Sequence, residues 1–194
     1  MNKRKIAFTF NSPVVLSFVI LSFIVLLLGS ATDGATTTKY FCTYRASLLN
    51  PLMYLRLFTH VLGHSNLAHY AGNMLYILLL GPMLEEKYGS KNLLIMITIT
   101  ALVTGLVNNI FFTTGLLGAS GIVFMMIVLS SMVSFKQGEI PITMILVIVL
   151  YLGNEVIEGV FTTDNISQLT HVLGGVCGVV FGFTYKGNKG KNRG

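Results

Sequence analysis

Residues 118–135 read Gly118-Ala119-Ser120-Gly121-Ile122-Val123-Phe124-Met125-Met126-Ile127-Val128-Leu129-Ser130-Ser131-Met132-Val133-Ser134-Phe135. This is an uncharged apolar run opened by a serine between small residues. Its length approaches the roughly 20 apolar residues that carry a helix across a bilayer. Gly118-Ala119-Ser120-Gly121 is a short pattern of low specificity, so its meaning depends on what surrounds it.

Working outward, five further runs have the same character. Approximate spans are 13–30, 67–84, 92–112, 118–135, 140–161 and 169–185. The 194 residues are 53% hydrophobic and 10% charged, with mean hydropathy +0.75. A soluble domain carries about 25% charged residues, so a water-soluble core is excluded in favour of an all-α polytopic membrane protein. Residues 1–12 form a short basic N-terminus, 13–185 a single transmembrane domain and 186–194 a basic tail. The first apolar run follows Lys3-Arg4-Lys5 and could pass for a cleaved signal. It exceeds the usual signal core of about 7–15 residues and is read as a retained helix.

The formal charge of +6 does not point to nucleic acid, because the cations fall in short connections between apolar runs. Lys3, Arg4, Lys5, Lys87, Lys91, Lys136, Lys186, Lys189, Lys191 and Arg193 lie on one side; only Lys39, Arg45 and Arg56 lie on the other. The positive-inside bias makes both termini cytoplasmic. The long connection, residues 31–66, is then outside. Its Tyr40, Phe41, Tyr44, Tyr54, Leu55, Leu57 and Phe58 suit a segment lying in the interface. Cys42 and Cys177 lie far apart and suggest neither a disulfide framework nor a metal spacing.

Polar groups inside spans are costly and are functional candidates by default. Here they are His69, Asn73, Asn108, Asn109, Ser120, Glu155, Glu158 and His171. Counted from the inner ends of their spans, Ser120, His69 and His171 rise about 21–22 Å and Asn73 about 16 Å. All four therefore fall near one depth. His69 and Asn73, four apart, share a helix face. Below His171 runs a stripe of Gly174, Gly175, Gly178 and Gly182, which permits close approach of another helix backbone. A serine hydroxyl needs a neighbouring base. Burial keeps imidazole neutral and able to act as one. Asn73 and His69 can donate from side chains, and the N–H of Ser120 lies at the positive end of a helix. Nucleophile, base and oxyanion donors are thus expected at one depth.

In the order Arg56-x-x-x-His60, His64, His69-x-x-x-Asn73, Glu85-x-x-x-Gly89, Gly118-Ala119-Ser120-Gly121 and His171-x-x-Gly174 with Gly178, the chain resembles the rhomboid family of intramembrane serine proteases. The resemblance covers about Leu52 to Tyr185 and implies a six-transmembrane-helix bundle of the bacterial type. It implies Ser120 as nucleophile, His171 as general base, and Asn73, His69 and the Ser120 N–H as oxyanion hole. Gly118, Gly121, Phe124, Gly174, Gly178, Arg56 and Glu85 are expected to support the site. Many bacterial members carry tyrosine where this chain has Phe124, which keeps the ring and loses the hydroxyl. Leu55 stands where a tryptophan often precedes the arginine.

His60 and His64, four apart, could suggest a metal site with His69. No acidic residue or cysteine joins them and H-E-x-x-H is absent. They are read as hydrogen-bonding struts of the outer loop, and no metal or cofactor is expected. Glu155 and Glu158 are read as reaching the interface by snorkelling, the alternative being a role near the gate, Asn108 and Asn109 as a helix-end feature, and Cys177 as a small buried hydrophobe. The expected partners are transmembrane protein substrates and the lipid bilayer, in a bacterial cytoplasmic (inner) membrane with the site opening outward. The alternatives are an inactive rhomboid-like protein that binds membrane clients and, from another class, a small channel or transporter.

Overall fold

The computed structural model describes residues 9–133, 142–147, 149 and 165–185. Glu155 and Glu158, and most of the fifth apolar run, lie outside the described residues. Among the described residues the chain is helical, with one isolated bridge between Thr43 and Leu116 and no strand. The elements are α1 (Pro13–Ala31), α2 (Ala35–Tyr40), α3 (Pro51–Thr59), a 3-10 turn (His60–Leu62), α4 (Leu67–Tyr88), α5 (Ser90–Phe111), α6 (Ser120–Ser131), α7 (Ile142–Val147) and α8 (Asn165–Thr184). Three of them, α1, α4 and α5, are long and apolar enough to cross a membrane. The helix containing Ser120 has 12 residues and rises only about 18 Å.

α6 is the axis of the bundle. Gly121 through Leu129 are all buried, which explains why the run is apolar around its whole circumference rather than along one stripe. α4, α5 and α8 pack on it, and Val15, Phe18, Ile77, Met96, Met125 and Phe181 belong to the same core. The closest partner is α8. A Cβ on Gly174 would collide with the carbonyl oxygen of Gly121, and one on Gly178 would stand 2.6 Å from that of Met125. Gly182 lies against the Met132 side chain instead. Gly174 and Gly178 therefore lie against the α6 backbone, and Gly182 against the residue that follows the helix.

α4 contains Pro82 and ends at Gly89, whose φ of 83° suits glycine. The turn is tied to α1 by Glu85, which is 4% exposed. Its carboxylate accepts from the backbone N–H groups of Val14 and Val15 at 3.0 and 3.1 Å and from the Ser90 hydroxyl at 2.7 Å. One acidic side chain thus satisfies two of the N–H groups that the start of α1 leaves without intrahelical acceptors.

The 31–66 connection folds back as α2, α3 and the 3-10 turn, and α3 packs on α5 where a Cβ on Gly105 would come within 2.9 Å of the Leu57 carbonyl oxygen. Arg56 is buried, hydrogen-bonds the Tyr44 hydroxyl and lies 4.0 Å from the Tyr44 ring centroid. His60 donates from Nδ1 to the Arg56 carbonyl at 3.1 Å and meets Thr104 Oγ1 with Nε2 at 3.3 Å. His64 donates from Nδ1 to the Leu62 carbonyl at 3.1 Å. Both histidines act as struts of this connection. Cys42 and Cys177 are both free and buried.

Two predictions follow from this packing. Gly174→Ala forces α8 off α6, so the unfolding free energy in detergent should fall by about 1–3 kcal/mol, the overpacking cost outweighing the gain in helix propensity. An unchanged or higher stability would show that the two backbones do not meet as described. Burial pushes the His60 pKa down to about 4, against the opposing hydrogen bonds to Arg56 and Leu57. His64 is lowered to about 4 by burial and then by His69, with its bond to Leu62 opposing. Both are neutral in the fold, and below the ordinary value of 6.5 the unfolded chain takes protons that the folded chain refuses. Stability is therefore complete above about pH 6.5 and falls as pH drops toward 4. Melting temperatures measured between pH 7.5 and 4.5 should decline over that window, with a smaller slope in His60→Gln.

Candidate functional site

Ser120 is the first residue of α6, after Ala119 at the N-cap. The backbone N–H groups that open a helix have no intrahelical acceptor, so the peptide groups of Ser120 and Gly121 present donors beside the serine hydroxyl. The chain reaches this point through Gly118, whose φ is 121°. A Cβ there would be strained and would also stand 2.8 Å from His69 Nε2 and 3.9 Å from Asn73 Nδ2. Glycine is required twice over. It brings the loop in front of the serine onto the two α4 side chains read from the sequence as donors.

Asn73 is buried, and its Nδ2 donates to the His69 carbonyl at 3.2 Å. A primary amide has two N–H donors, so a second remains for a group arriving beside Gly118. His69 is half-buried. Its Nδ1 meets Ser65 Oγ at 3.2 Å and the Ser65 backbone N–H at 3.5 Å, leaving Nε2 toward Gly118.

His171 comes from α8. Its ring stacks on Phe124 with centroids 4.3 Å apart and planes 4° from parallel. Ser120 and Phe124 are four apart on α6 and share a face, so the imidazole lies over the face that begins at Ser120. Close approach continues above the stack, where a Cβ on Gly121 would meet Thr170 Cγ2 at 3.2 Å and the Thr170 carbonyl oxygen at 3.5 Å. Phe124 thus provides the supporting ring without a hydroxyl.

The loop in front of Ser120 is tied to the distant 31–66 connection. Thr43 and Leu116 exchange backbone hydrogen bonds at 2.9 and 2.8 Å, and the Gly118 N–H donates to the His60 carbonyl at 3.0 Å. Asn108 and Asn109 serve the same junction. Asn108 Nδ2 bonds the carbonyls of Thr43 and Thr114, each at 3.2 Å. Asn109 Nδ2 bonds Thr43 Oγ1 at 2.5 Å and the Gly105 carbonyl at 2.9 Å. Arg45 caps the end of α5 at the Asn109 carbonyl, 3.1 Å away. Both asparagines lie in the last turn of α5, and beyond a helix-end role they are buried and tie α5 to Thr43, Asn108 also to Thr114 in the loop before the serine. Sequence reasoning also passed over Thr43 and Ser65. Ser65-Asn66 does carry a signal, since small polar residues before an apolar run mark a helix start. Among the described residues no cluster of His, Cys, Asp or Glu could hold a metal ion.

A serine at the start of a buried helix, a histidine ring stacked on the same helix one turn below and Asn73 and His69 beside the preceding glycine lie within a bundle of long apolar helices, the class of helical membrane proteins. The rhomboid domain model matches residues 51–188, and the chain belongs to the rhomboid family. It is an integral membrane protein. Two curated relatives, both described as rhomboid protease GlpG, from Salmonella paratyphi A (strain ATCC 9150 / SARB42) and Salmonella typhi, are each 28% identical to it over 106 residues. The match covers 55% of this chain and 38% of each relative.

The site geometry makes Gly118 the least replaceable glycine of the loop. Gly118→Ala should lower the unfolding free energy by about 1–3 kcal/mol through the strained φ alone. Gly72→Ala, on α4 with nothing within 4 Å of its Cβ position, should be neutral or stabilising. Equal effects of the two substitutions in parallel melts would contradict the described loop conformation.

Proposed function

We propose that this chain is an intramembrane serine endopeptidase that cleaves peptide bonds in or beside transmembrane segments of other proteins. The observation that carries this reading is the parallel stack of His171 on Phe124, one turn along α6 from Ser120. In the proposed mechanism His171 accepts the Ser120 hydroxyl proton as Oγ attacks the substrate carbonyl carbon. The oxyanion that forms is met by the Ser120 N–H, the remaining amide N–H of Asn73 and His69 Nε2. His171 then delivers the proton to the leaving nitrogen as the C–N bond breaks. Water, deprotonated by the same imidazole, hydrolyses the acyl ester and restores Ser120. No acidic residue is assigned to orient His171; in this dyad the Phe124 ring holds the imidazole plane instead.

A substrate helix must open before its carbonyl can reach Ser120, so segments carrying glycine or another helix-breaking residue are the preferred class. The ten-to-three distribution of cations supports an orientation with both termini cytoplasmic and the Ser120 end toward the outside of a bacterial inner membrane. A helix beginning at Ser120 and rising about 18 Å supports a site recessed below the outer surface, open to water from that side.

Purified protein in detergent, given a transmembrane-peptide substrate between pH 6 and 9, tests the proposal. Ser120→Ala and His171→Ala should each reduce turnover by at least about a thousandfold, and Asn73→Ala by about 10²–10³. A fluorophosphonate should label Ser120 in the native chain and not in His171→Ala. Full activity in Ser120→Ala would end the protease reading, whereas an unaffected Asn73→Ala would end only the oxyanion assignment.

A further inference from the structure

The helix start at Asn66 contains a directional hydrogen-bond chain that ends on His69. Asn66 is the N-cap of α4, and its Oδ1 accepts from the His69 backbone N–H at 2.8 Å. A backbone N–H can only donate, so this bond fixes which end of the Asn66 amide is oxygen. Nδ2 is then the end that faces Ser65 Oγ, 3.4 Å away, and an amide nitrogen can only donate. Ser65 Oγ accepts there and lies 3.2 Å from His69 Nδ1. The Ser65 backbone N–H approaches the same Nδ1 at 3.5 Å. That N–H can only donate, so Nδ1 carries its lone pair and the Ser65 hydroxyl donates to it as well. The neutral ring then holds its only N–H at Nε2, the atom nearest the Cβ position of Gly118.

We infer that Ser65 is a positioning residue: the Asn66–Ser65–His69 chain sets the His69 tautomer so that its Nε2–H, not a lone pair, is presented to the oxyanion position beside Gly118. This rests on the protease reading for its catalytic consequence, but the tautomer itself does not. The opposite tautomer would present a lone pair to the developing negative charge and repel it. Polarisation runs in the useful direction, since each donor in such a chain strengthens the next. Ser65 touches neither substrate nor Ser120 in this role; it acts only through His69.

The test has two arms. In protein carrying 15N-labelled histidine, the nitrogen spectra of His69 should show a bare Nδ1 and a protonated Nε2. Ser65→Ala should shift the ring toward a mixture of tautomers, and Ser65→Thr, which keeps the hydroxyl, should restore the native pattern. A protonated Nδ1 in the native chain, or an unchanged spectrum in Ser65→Ala, overturns the inference whether or not the protein is a protease. In the kinetic arm, loss of a full oxyanion donor costs about 10²–10³ in kcat; loosening one should cost about tenfold, with KM unchanged. That loss should disappear when Ser65→Ala is made on a His69→Ala background. A tenfold effect that persists there would assign Ser65 a role independent of the tautomer and overturn the inference. Absence of all turnover in the native chain, with the tautomer shift intact, would instead count against the protease reading alone.

Discussion

The contact on which most of this molecule depends is between two backbones, where Gly174 of α8 lies against the Gly121 carbonyl of α6. Helices in lipid gain little from burying apolar side chains against each other, since the surrounding tails are equally apolar. Their association rests on dispersion contacts summed over a close interface. Glycine at positions 174, 178 and 182 removes the atoms that would hold α8 away. The helix-propensity cost of glycine, about 1 kcal/mol each in water, matters less in a medium where an unsatisfied backbone is more costly still. The same contact sets the rotation and height of α8 on α6. His171, one turn from Gly174, therefore has little choice about where its ring lies, and Phe124 receives it face to face.

A second constraint holds the serine end. The loop from Phe112 to Ala119 has little secondary structure of its own, yet it must deliver Ser120 accurately. It is held by the Thr43–Leu116 bridge and by the Gly118 bond to His60, while Asn108 and Asn109 reach from α5 to fix Thr43. Every one of these groups is buried and polar, so each bond avoids a desolvation cost of about 1–3 kcal/mol. The neutral struts His60 and His64 fit the same environment, where a charged imidazole would lack a counter-ion. Thr100 and Thr104 follow another solution, returning their hydroxyls to carbonyls one turn back in α5. Polar groups that close their bonds locally add rigidity, while helix packing alone carries His69 and Asn73 to the Gly118 loop and His171 to Phe124.

The membrane class, the helical architecture and the positions of α1, α4, α5, α6 and α8 were legible in the chain itself, because long uncharged runs admit little else. Glycine spacing on α8 also announced its packed face, since offsets of three, four, seven and eleven from His171 fall on one side of a helix. The chain also put Ser120 and His171 at one depth. Matched depth cannot give azimuth, however, and only the stack on Phe124 shows which face of α6 meets the ring.

What the sequence by itself determined is the set of spans and the few polar residues that lipid would not tolerate without purpose. What the tertiary structure decided is how residues far apart in the chain serve one loop. Asn108 and Asn109 read as a helix end; Thr43, which both of them bond, lies more than sixty residues earlier. The direction of the Asn66–Ser65–His69 chain was equally hidden. It depends on which groups can only donate and where folding aims them, and a string of residue types carries the first kind of information without the second.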